Sequence, residues 1–147
     1  NNFGLGRTNE ERILYYNQKG SGLASLTKRD LEFRNIPFEE SEKVQIFTLD
    51  TYCKQKSIEH ISLLKIDVEG HELDVFAGAK EMFAKRAIDI VTFEFGGCNI
   101  DTRTFFKDFW FFFERENMAL YRFLPNKKLL RLDCKNIPLL APTSNIQ

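Results

Sequence analysis

One apolar run in this chain leads directly into a cluster of ionisable side chains and a glycine. Residues 64–72 read LKIDVEGHE, in which the ionisable residues after the apolar run are Asp67, Glu69, His71 and Glu72. We call residues 67–72 the acidic junction. Carboxylates and imidazoles are common proton donors and acceptors in enzymes. In an open parallel sheet, side chains at the carboxyl ends of strands face the ligand crevice, so this position predicts a catalytic or binding site.

A second run ends in a similar way. Residues 88–95 read IDIVTFEF, and Glu94 stands near the end of that run, just before a Gly-Gly pair and Asn99. Glycines let the backbone turn tightly or approach a ligand closely. Carboxylates that converge at neighbouring strand ends need a cation, a donor cluster or a raised pKa to offset their repulsion, which favours a site. Alternatively, Glu94 binds backbone N–H groups of the following helix.

Structural roles explain the acidic junction without any chemistry. Lys65 and Asp67 share one face of the predicted strand and could form an ion pair with each other or with a neighbouring strand. Glu69 and Glu72 near a helix N-terminus are favoured by the helix dipole in any protein. His71 could take a proton from a substrate hydroxyl, or it could be a solvated residue of the first helical turn. The residues by themselves leave these alternatives open.

The composition is typical of a globular domain. Of the 147 residues, 43% are apolar and 29% are charged, which is enough for one core. Because 21 basic residues balance 21 acidic ones, the net charge offers no attraction to nucleic acid or to an anionic membrane. No apolar run approaches the roughly 20 residues that span a bilayer, and no basic-then-apolar leader opens the chain. We therefore expect a soluble cytoplasmic protein that binds neither nucleic acid nor membranes.

The cysteines indicate neither a disulfide framework nor a zinc site. Cys53, Cys98 and Cys134 are odd in number, widely spaced and without a CxxC or Cys/His pattern. Reduced cytosolic thiols are the simplest interpretation. The chain also begins at Asn1 without a methionine, so we expect a fragment of a longer protein.

Alternating strand and helix patterns predict the elements that position the acidic residues. Strands are predicted over residues 44–49, 61–68 and 88–95. One helix begins near Gly70, and another follows an N-cap at Asp101 or Thr102. Their predicted inner faces are Val75, Phe76, Ala79, Met82 and Phe83, and then Phe105, Phe106, Phe109, Phe112 and Phe113. The β-α-β-α order implies parallel strands joined by right-handed crossovers.

The N-terminal part is less regular. Residues 13–16 and 23–26 have strand-like ends around a glycine-containing turn, which predicts a hairpin or a strand-loop-strand. Residues 27–42 are polar and aperiodic, and predict a surface loop or a short helix. Asp50 is predicted to cap a short helix that runs through Lys56.

The C-terminal part predicts an antiparallel hairpin. Residues 119–124 and 129–132 are strand-like, and the link between them is too short for a parallel crossover. Pro138 and Pro142 mark a tail that we expect to lie on the surface or to fray. The predicted fold class is therefore α/β, with a mostly parallel sheet and a C-terminal antiparallel hairpin.

Several motifs in this order resemble those of the FkbM-type methyltransferases. Residues 64–72 are similar to the family's KIDVEGxE core, and residues 44–50 to its V-x-V-x-T-L-D segment. Residues 77–79 are similar to its GA helix segment, and residues 94–99 to its E-x-G-x-x-N run. The resemblance implies a Rossmann-like class I methyltransferase sheet and S-adenosylmethionine as the methyl donor. The implied acceptor is a hydroxyl of a sugar or small metabolite.

The resemblance also implies roles for the acidic residues. His71 or Asp67 would act as the general base that removes the proton of the acceptor hydroxyl. The remaining carboxylates would orient the substrate or hold a cation, and the metal is left unspecified. The predicted catalytic set is Asp67, Glu69, His71, Glu72 and Glu94. Asp67 is also the predicted cofactor contact, and Glu94 and Asn99 are the predicted substrate contacts.

Two features of the family have no counterpart in this sequence. These are the glycine-rich D-x-G-x-x-x-G loop on the first strand and the acidic residue that ends the second. We therefore expect residues 1–147 to be one partial methyltransferase domain that binds the cofactor poorly by itself. Exposed sheet edges would favour a homo-oligomer. The alternative function is a non-catalytic α/β module that serves in assembly or ligand binding.

Overall fold

The computed structural model describes residues 2–133, which form two compact units. The first unit ends at Thr104 and the second begins at Phe105. The strands of the first unit are β1 (Gly4–Leu5), β2 (Glu10–Tyr16), β3 (Glu40–Phe47), β4 (Ile61–Ile66) and β5 (Ile88–Phe93). Its helices are α1 (Leu49–Lys56), α2 (Glu72–Ala77), α3 (Lys80–Ala84) and α4 (Cys98–Asp101). The second unit contains α5 (Phe106–Arg115), β6 (Tyr121–Phe123) and β7 (Leu129–Arg131).

The strands β4 and β5 form the parallel pair that carries the acidic residues. Ile61 lies opposite Ile88, and Ile66 lies opposite Phe93, so both strands end at the same edge. The chain crosses from one strand to the other through α2 and α3. This arrangement confirms the predicted parallel β-α-β unit, and it delivers the residues after both strands to one side of the sheet.

The other strands only partly match the predicted mostly parallel sheet. In a separate sheet, β3 pairs parallel with β1 and antiparallel with β2. The strand β3 begins at Glu40, inside the segment predicted to be a loop, because the backbone pairs with β2 although its side chains are mostly exposed. The predicted N-terminal hairpin or strand-loop-strand is confirmed in part: residues 13–16 lie in β2, and Tyr15 forms an antiparallel bridge with Ser25, but residues 23–26 do not extend into a second strand. The predicted antiparallel hairpin between β6 and β7 is confirmed.

The helix after the acidic junction is interrupted. The predicted apolar stripe is confirmed, since Val75, Phe76, Ala79, Met82 and Phe83 are all buried. At Gly78, however, the carbonyl oxygen of Gly6 lies where a side chain would be, and the helix divides there into α2 and α3. The Asp50 carboxylate accepts hydrogen bonds from the backbone N–H groups of Glu81 and Met82, at 2.9 and 3.1 Å. Asp50 therefore caps α3, while the Thr48 hydroxyl caps α1, contrary to prediction.

The aromatic helix also begins later than predicted. Neither Asp101 nor Thr102 caps it, because α4 ends at Asp101 and α5 starts at Phe106. The Asp108 carboxylate accepts from the backbone N–H of Phe105 at 2.8 Å. Phe109 and Phe113 are buried, but Phe105 precedes the helix and is exposed, so its predicted place on the inner face is wrong.

Other predictions concern the loop before β3 and the end of the chain. The loop contains a short 3-10 turn at Glu32–Arg34, and its Leu31 and Phe38 side chains are buried. Among residues 2–133, no helix is long and apolar enough to cross a membrane. Cys134 and the predicted C-terminal tail lie outside the described residues.

Candidate active site

The backbone of the acidic junction adopts two left-handed conformations in succession. Glu69 has a φ of 51° and Gly70 a φ of 99°. A positive φ is uncommon for a residue other than glycine. A Cβ atom on Gly70 would lie 2.8 Å from the carbonyl oxygen of Cys98, so glycine is required there for both conformation and space. The chain thus turns sharply from β4 into α2 while it passes close to α4.

Glu72 and Asn99 form a buried hydrogen-bonded network behind this turn. Each is only 1% exposed. Glu72 accepts from the Gly70 backbone N–H at 3.0 Å and from the Asn99 side-chain amide at 3.1 Å. The Asn99 oxygen accepts from the Gly96 backbone N–H at 2.8 Å. The network joins the segments that follow β4 and β5, and the predicted catalytic role of Glu72 and substrate role of Asn99 remain predictions.

Arg29 binds the acidic junction from the loop before β3. Its Nη1 lies 3.0 Å from Glu69 Oε2, its Nε lies 2.8 Å from Asp101 Oδ2, and its side chain is only 8% exposed. The Ser25 hydroxyl donates to the Glu69 carbonyl oxygen at 3.0 Å. Sequence analysis missed both residues because nothing in this polar segment marks them, and the contacts span 40 or more positions.

The carboxylates of the site influence one another. Burial raises the pKa of Glu69; Arg29 opposes this shift, and the carboxylates of Asp67, Glu72 and Glu94 add to it. The strand register places two of these carboxylates side by side, since Asp67 and Glu94 directly follow the paired residues Ile66 and Phe93. Asp67 and Glu94 are exposed there, and the Asp67 carboxylate lies 3.3 Å from Lys65 Nζ in an exposed ion pair.

His71 lies between two polar side chains. Its Nδ1 is 2.9 Å from Asp74 Oδ2, and its Nε2 is 3.0 Å from Thr27 Oγ1. Because the side chain is only 12% exposed, His71 is not a solvated first-turn residue. The hydrogen bond from His71 lowers the pKa of Asp74, burial opposes this shift, and the Arg7 guanidinium lowers the pKa further. The i,i+3 spacing of His71 and Asp74 was a readable signal that sequence analysis did not use.

An open cleft of about 530 Å³ lies along the loop before β3. Its lining runs from Lys28 to Glu39 and combines charged side chains with the apolar side chains of Leu31 and Phe38. Arg29 belongs to this lining and also binds Glu69. The cleft and the acidic junction therefore share one side chain.

The ligand set for a metal ion is not assembled in the part of the chain that the structure describes. Among residues 2–133, no group of three or more His, Cys, Asp or Glu side chains has a suitable arrangement. The Cys98 thiol is no better placed for chemistry, since burial and the nearby Glu72 and Glu69 carboxylates raise its pKa to about 11.

Comparison with known proteins identifies the family of the chain. Over 54 residues it is 37% identical to the "2-O-methyltransferase NoeI" of Sinorhizobium fredii, and this match spans 37% of the chain but 22% of the relative. No solved structure matches the chain. The model of the "Methyltransferase FkbM domain" matches residues 1–127. The chain therefore belongs to the FkbM methyltransferase family.

Proposed function

We propose that the protein containing this chain transfers a methyl group from S-adenosylmethionine to a hydroxyl of a sugar or small metabolite. Membership of the FkbM family supports methyl transfer. The relative named a 2-O-methyltransferase supports oxygen as the accepting atom. The observation that carries the proposal is the gathering of ionisable side chains at the shared end of β4 and β5. The parallel pair and the C-terminal hairpin are also compatible with a Rossmann-like class I sheet.

The exposed carboxylates fit the chemistry of this cofactor. S-adenosylmethionine carries ribose hydroxyls that donate hydrogen bonds, together with positively charged ammonium and sulfonium groups. Asp67 follows β4 at the sheet edge where ligands of open α/β sheets bind, and its exposure leaves it available. We assign Asp67 to the cofactor and Glu94 to the acceptor. When bound, the cofactor supplies the electrophilic methyl group.

The protein contributes mainly by positioning and proton removal. Holding two reactants in line can lower the barrier by about 7 to 11 kcal/mol. An attacking hydroxyl must also lose its proton, and His71 is the best-placed base because its ring is held on both sides. Glu69 and Glu72 act in this proposal by holding the backbone of the acidic junction, through Arg29 and Asn99 respectively.

The cleft beside the acidic junction suits a small hydroxylated acceptor. Its volume of about 530 Å³ lies within the usual range for small-molecule sites, which combine apolar surface with a few polar groups. The carboxylates and amide along its lining, such as Asp30 and Asn35, can bind hydroxyl groups. Arg29 places this lining next to Glu69. We therefore propose that the acceptor enters from this side.

A labelling experiment on the full-length protein tests the proposal. Isothermal titration with S-adenosylmethionine measures binding, and incubation with methyl-labelled cofactor and a panel of sugars and small alcohols measures transfer. Asp67→Ala should weaken cofactor binding, whereas His71→Ala should abolish transfer and leave binding intact. His60→Ala is the matched control, because His60 also pairs with an aspartate but is exposed. Unchanged turnover in both Asp67→Ala and His71→Ala would contradict the assignment.

A further inference from the structure

Three side chains form a continuous hydrogen-bonded chain beside the acidic junction. Thr27 Oγ1 lies 3.0 Å from His71 Nε2, and His71 Nδ1 lies 2.9 Å from Asp74 Oδ2. Thr27 comes from the loop before β3, whereas His71 and Asp74 come from the start of α2. A hydroxyl, an imidazole and a carboxylate in this order form the arrangement by which several enzyme classes move a proton, and it is recognised by geometry rather than by sequence position.

Asp74 determines which ring nitrogen of His71 carries the proton. Both Nε and Nη2 of Arg7 lie 2.9 Å from Asp74 Oδ1, which holds the carboxylate in its ionised form. An ionised carboxylate only accepts hydrogen bonds, so the Nδ1 atom of His71 must donate to it. In the neutral ring, Nε2 then keeps its lone pair. The Thr27 hydroxyl consequently donates to Nε2, and the Thr27 oxygen keeps lone pairs that can accept from another hydroxyl.

We infer that Thr27 relays the proton of the acceptor hydroxyl to His71, and that Asp74 positions His71 for this transfer. The inference rests on the proposed methyl transfer. The acceptor oxygen bonds to the methyl carbon while the carbon–sulfur bond of the sulfonium breaks, and the electron pair of that bond stays on sulfur. The acceptor proton passes to Thr27 Oγ1 as the hydroxyl proton of Thr27 passes to His71 Nε2. Thr27 is restored, and the imidazolium lies against ionised Asp74.

If the hydrogen bonds between Thr27, His71 and Asp74 had a purely structural function, the results would differ. In that case the hydrogen bonds would only fasten the loop before β3 to α2, and their loss would lower stability without a specific effect on turnover. The relay instead requires the hydroxyl group itself and one particular tautomer of His71. Thr27→Val removes the hydroxyl and keeps the shape of the side chain, whereas Thr27→Ser restores the hydroxyl.

The experiment uses the full-length protein with methyl-labelled S-adenosylmethionine and the best acceptor from the panel. Thr27→Val should lower kcat by about 100-fold, the lower end for a lost proton-transfer group, while the KM for the acceptor changes little. Thr27→Ser should recover most of that loss, and Asp74→Asn should lower kcat by about tenfold or more. Asp89→Asn is the matched control, because Asp89 lies 3.0 Å from His60 in an exposed histidine–aspartate pair, and it should leave kcat unchanged.

Nitrogen-15 NMR of the histidine rings provides a second readout that does not depend on turnover. In the unmodified protein, neutral His71 should show a protonated Nδ1 and an unprotonated Nε2, and Asp74→Asn should mix the two tautomers. A neutral His71 ring with the proton on Nε2 in the unmodified protein would overturn the inference even if every variant failed to fold. A folded Thr27→Val variant with native kcat would also overturn the inference. A full-length protein that binds no S-adenosylmethionine contradicts the proposed function, whereas an active protein with unaffected variants contradicts only the relay.

Discussion

The buried pair of Glu72 and Asn99 makes a sharp prediction about stability. Glu72 is enclosed, and its two carboxylate oxygens accept from the Gly70 backbone N–H and from the Asn99 amide. The orientation of that amide is fixed, because its oxygen accepts from the Gly96 N–H at 2.8 Å. Glu72→Gln introduces an NH2 group that cannot serve both positions. In either orientation of the new amide, its NH2 group faces another donor, either the Gly70 N–H or the Asn99 NH2 group.

The size of the effect follows from these contacts. Glu72→Gln loses one hydrogen bond to a charged group, which is worth about 1.5 to 3 kcal/mol. Asn99→Asp sets a second carboxylate against Glu72 at a contact that is 3.1 Å in the native pair. Two like charges so close repel by about 5 kcal/mol at an effective dielectric constant of about 20. Both single variants should therefore be clearly destabilised.

The double variant should recover most of this loss. Combining Glu72→Gln with Asn99→Asp exchanges the amide and the carboxylate between the two positions. The new amide oxygen accepts from the Gly70 N–H, its NH2 group donates to the new carboxylate, and that carboxylate accepts from the Gly96 N–H. Every hydrogen bond of the network is regained. We expect the double variant to lie within about 1 kcal/mol of the native protein, with a coupling energy of about 3 kcal/mol or more.

Urea unfolding of the full-length protein measures this cycle through the midpoint at constant m-value. Glu81→Gln is the control, since Glu81 is an exposed carboxylate of α3 paired with Lys85, and it should not shift the midpoint measurably. A Glu72→Gln variant as stable as the native protein would refute the reasoning. The reasoning would also be refuted if the double variant lost as much free energy of unfolding as the two single variants together. The two side chains would then not be coupled.

Three further predictions concern charged and titratable groups around the site. Arg29→Met should destabilise the fold and raise the pKa of Glu69 further, because the Arg29 guanidinium opposes that shift; carboxyl NMR titration measures it. The pKa of Asp74 is lower in the folded protein than its value of about 3.8 in the unfolded chain. Ionised Asp74 therefore stabilises the fold at pH values above about 3.8, and this contribution is lost as the pH falls through the folded pKa. Between pH 7 and pH 3, the native protein should therefore lose more stability than Asp74→Asn. A pKa of about 11 for Cys98, against 9.0 for an ordinary thiol, should slow its alkylation at pH 8 by about 100-fold.

Each of these predictions has a control or a contradicting outcome. Arg34→Met is the control for Arg29→Met, since Arg34 is exposed and lies over the ring of the exposed Phe33. An unchanged Glu69 titration in the Arg29 variant would show that the ion pair does not form in solution. Equal acid sensitivity of the native protein and Asp74→Asn would contradict the lowered pKa. Iodoacetamide labelling of Cys98 at the rate of a small-molecule thiol would show that the pKa of the thiol is not raised.

The sequence predicted the elements whose signals are local. The run from Leu64 to Glu72 shows its strand, its turn glycine and the start of its helix within nine residues, so its place at a parallel strand end could be inferred. Thr48 and Asp50 are both good capping residues, and only the contact of Asp50 with α3 decides between them. The need for glycine at position 78 comes from the carbonyl of Gly6, far away in the sequence. Periodicity cannot register such contacts.

The candidate site was predicted incompletely for the same reason. The motif residues were visible, but their partners Thr27 and Arg29 lie on a polar loop about 40 positions earlier. Such a loop carries no hydrophobic period, and single arginines or threonines occur on any protein surface. A buried arginine between two acidic residues becomes recognisable only when the fold brings the three together.

The four carboxylates of the site divide into two pairs with separate consequences. Glu72 and Glu69 are satisfied by protein groups, through Asn99 and Arg29, and they hold a backbone turn in which the left-handed conformation of Glu69 is unfavourable by itself. Asp67 and Glu94 are exposed at the same edge, and Asp67 forms an exposed ion pair with Lys65, so a ligand bound to these two carboxylates would leave this turn in place. Substitutions in one pair should therefore change stability, and substitutions in the other pair should change ligand binding. Neutral substitutions at Glu72 or Glu69 should shift the urea midpoint, whereas Asp67→Asn and Glu94→Gln should weaken binding and leave the midpoint nearly unchanged.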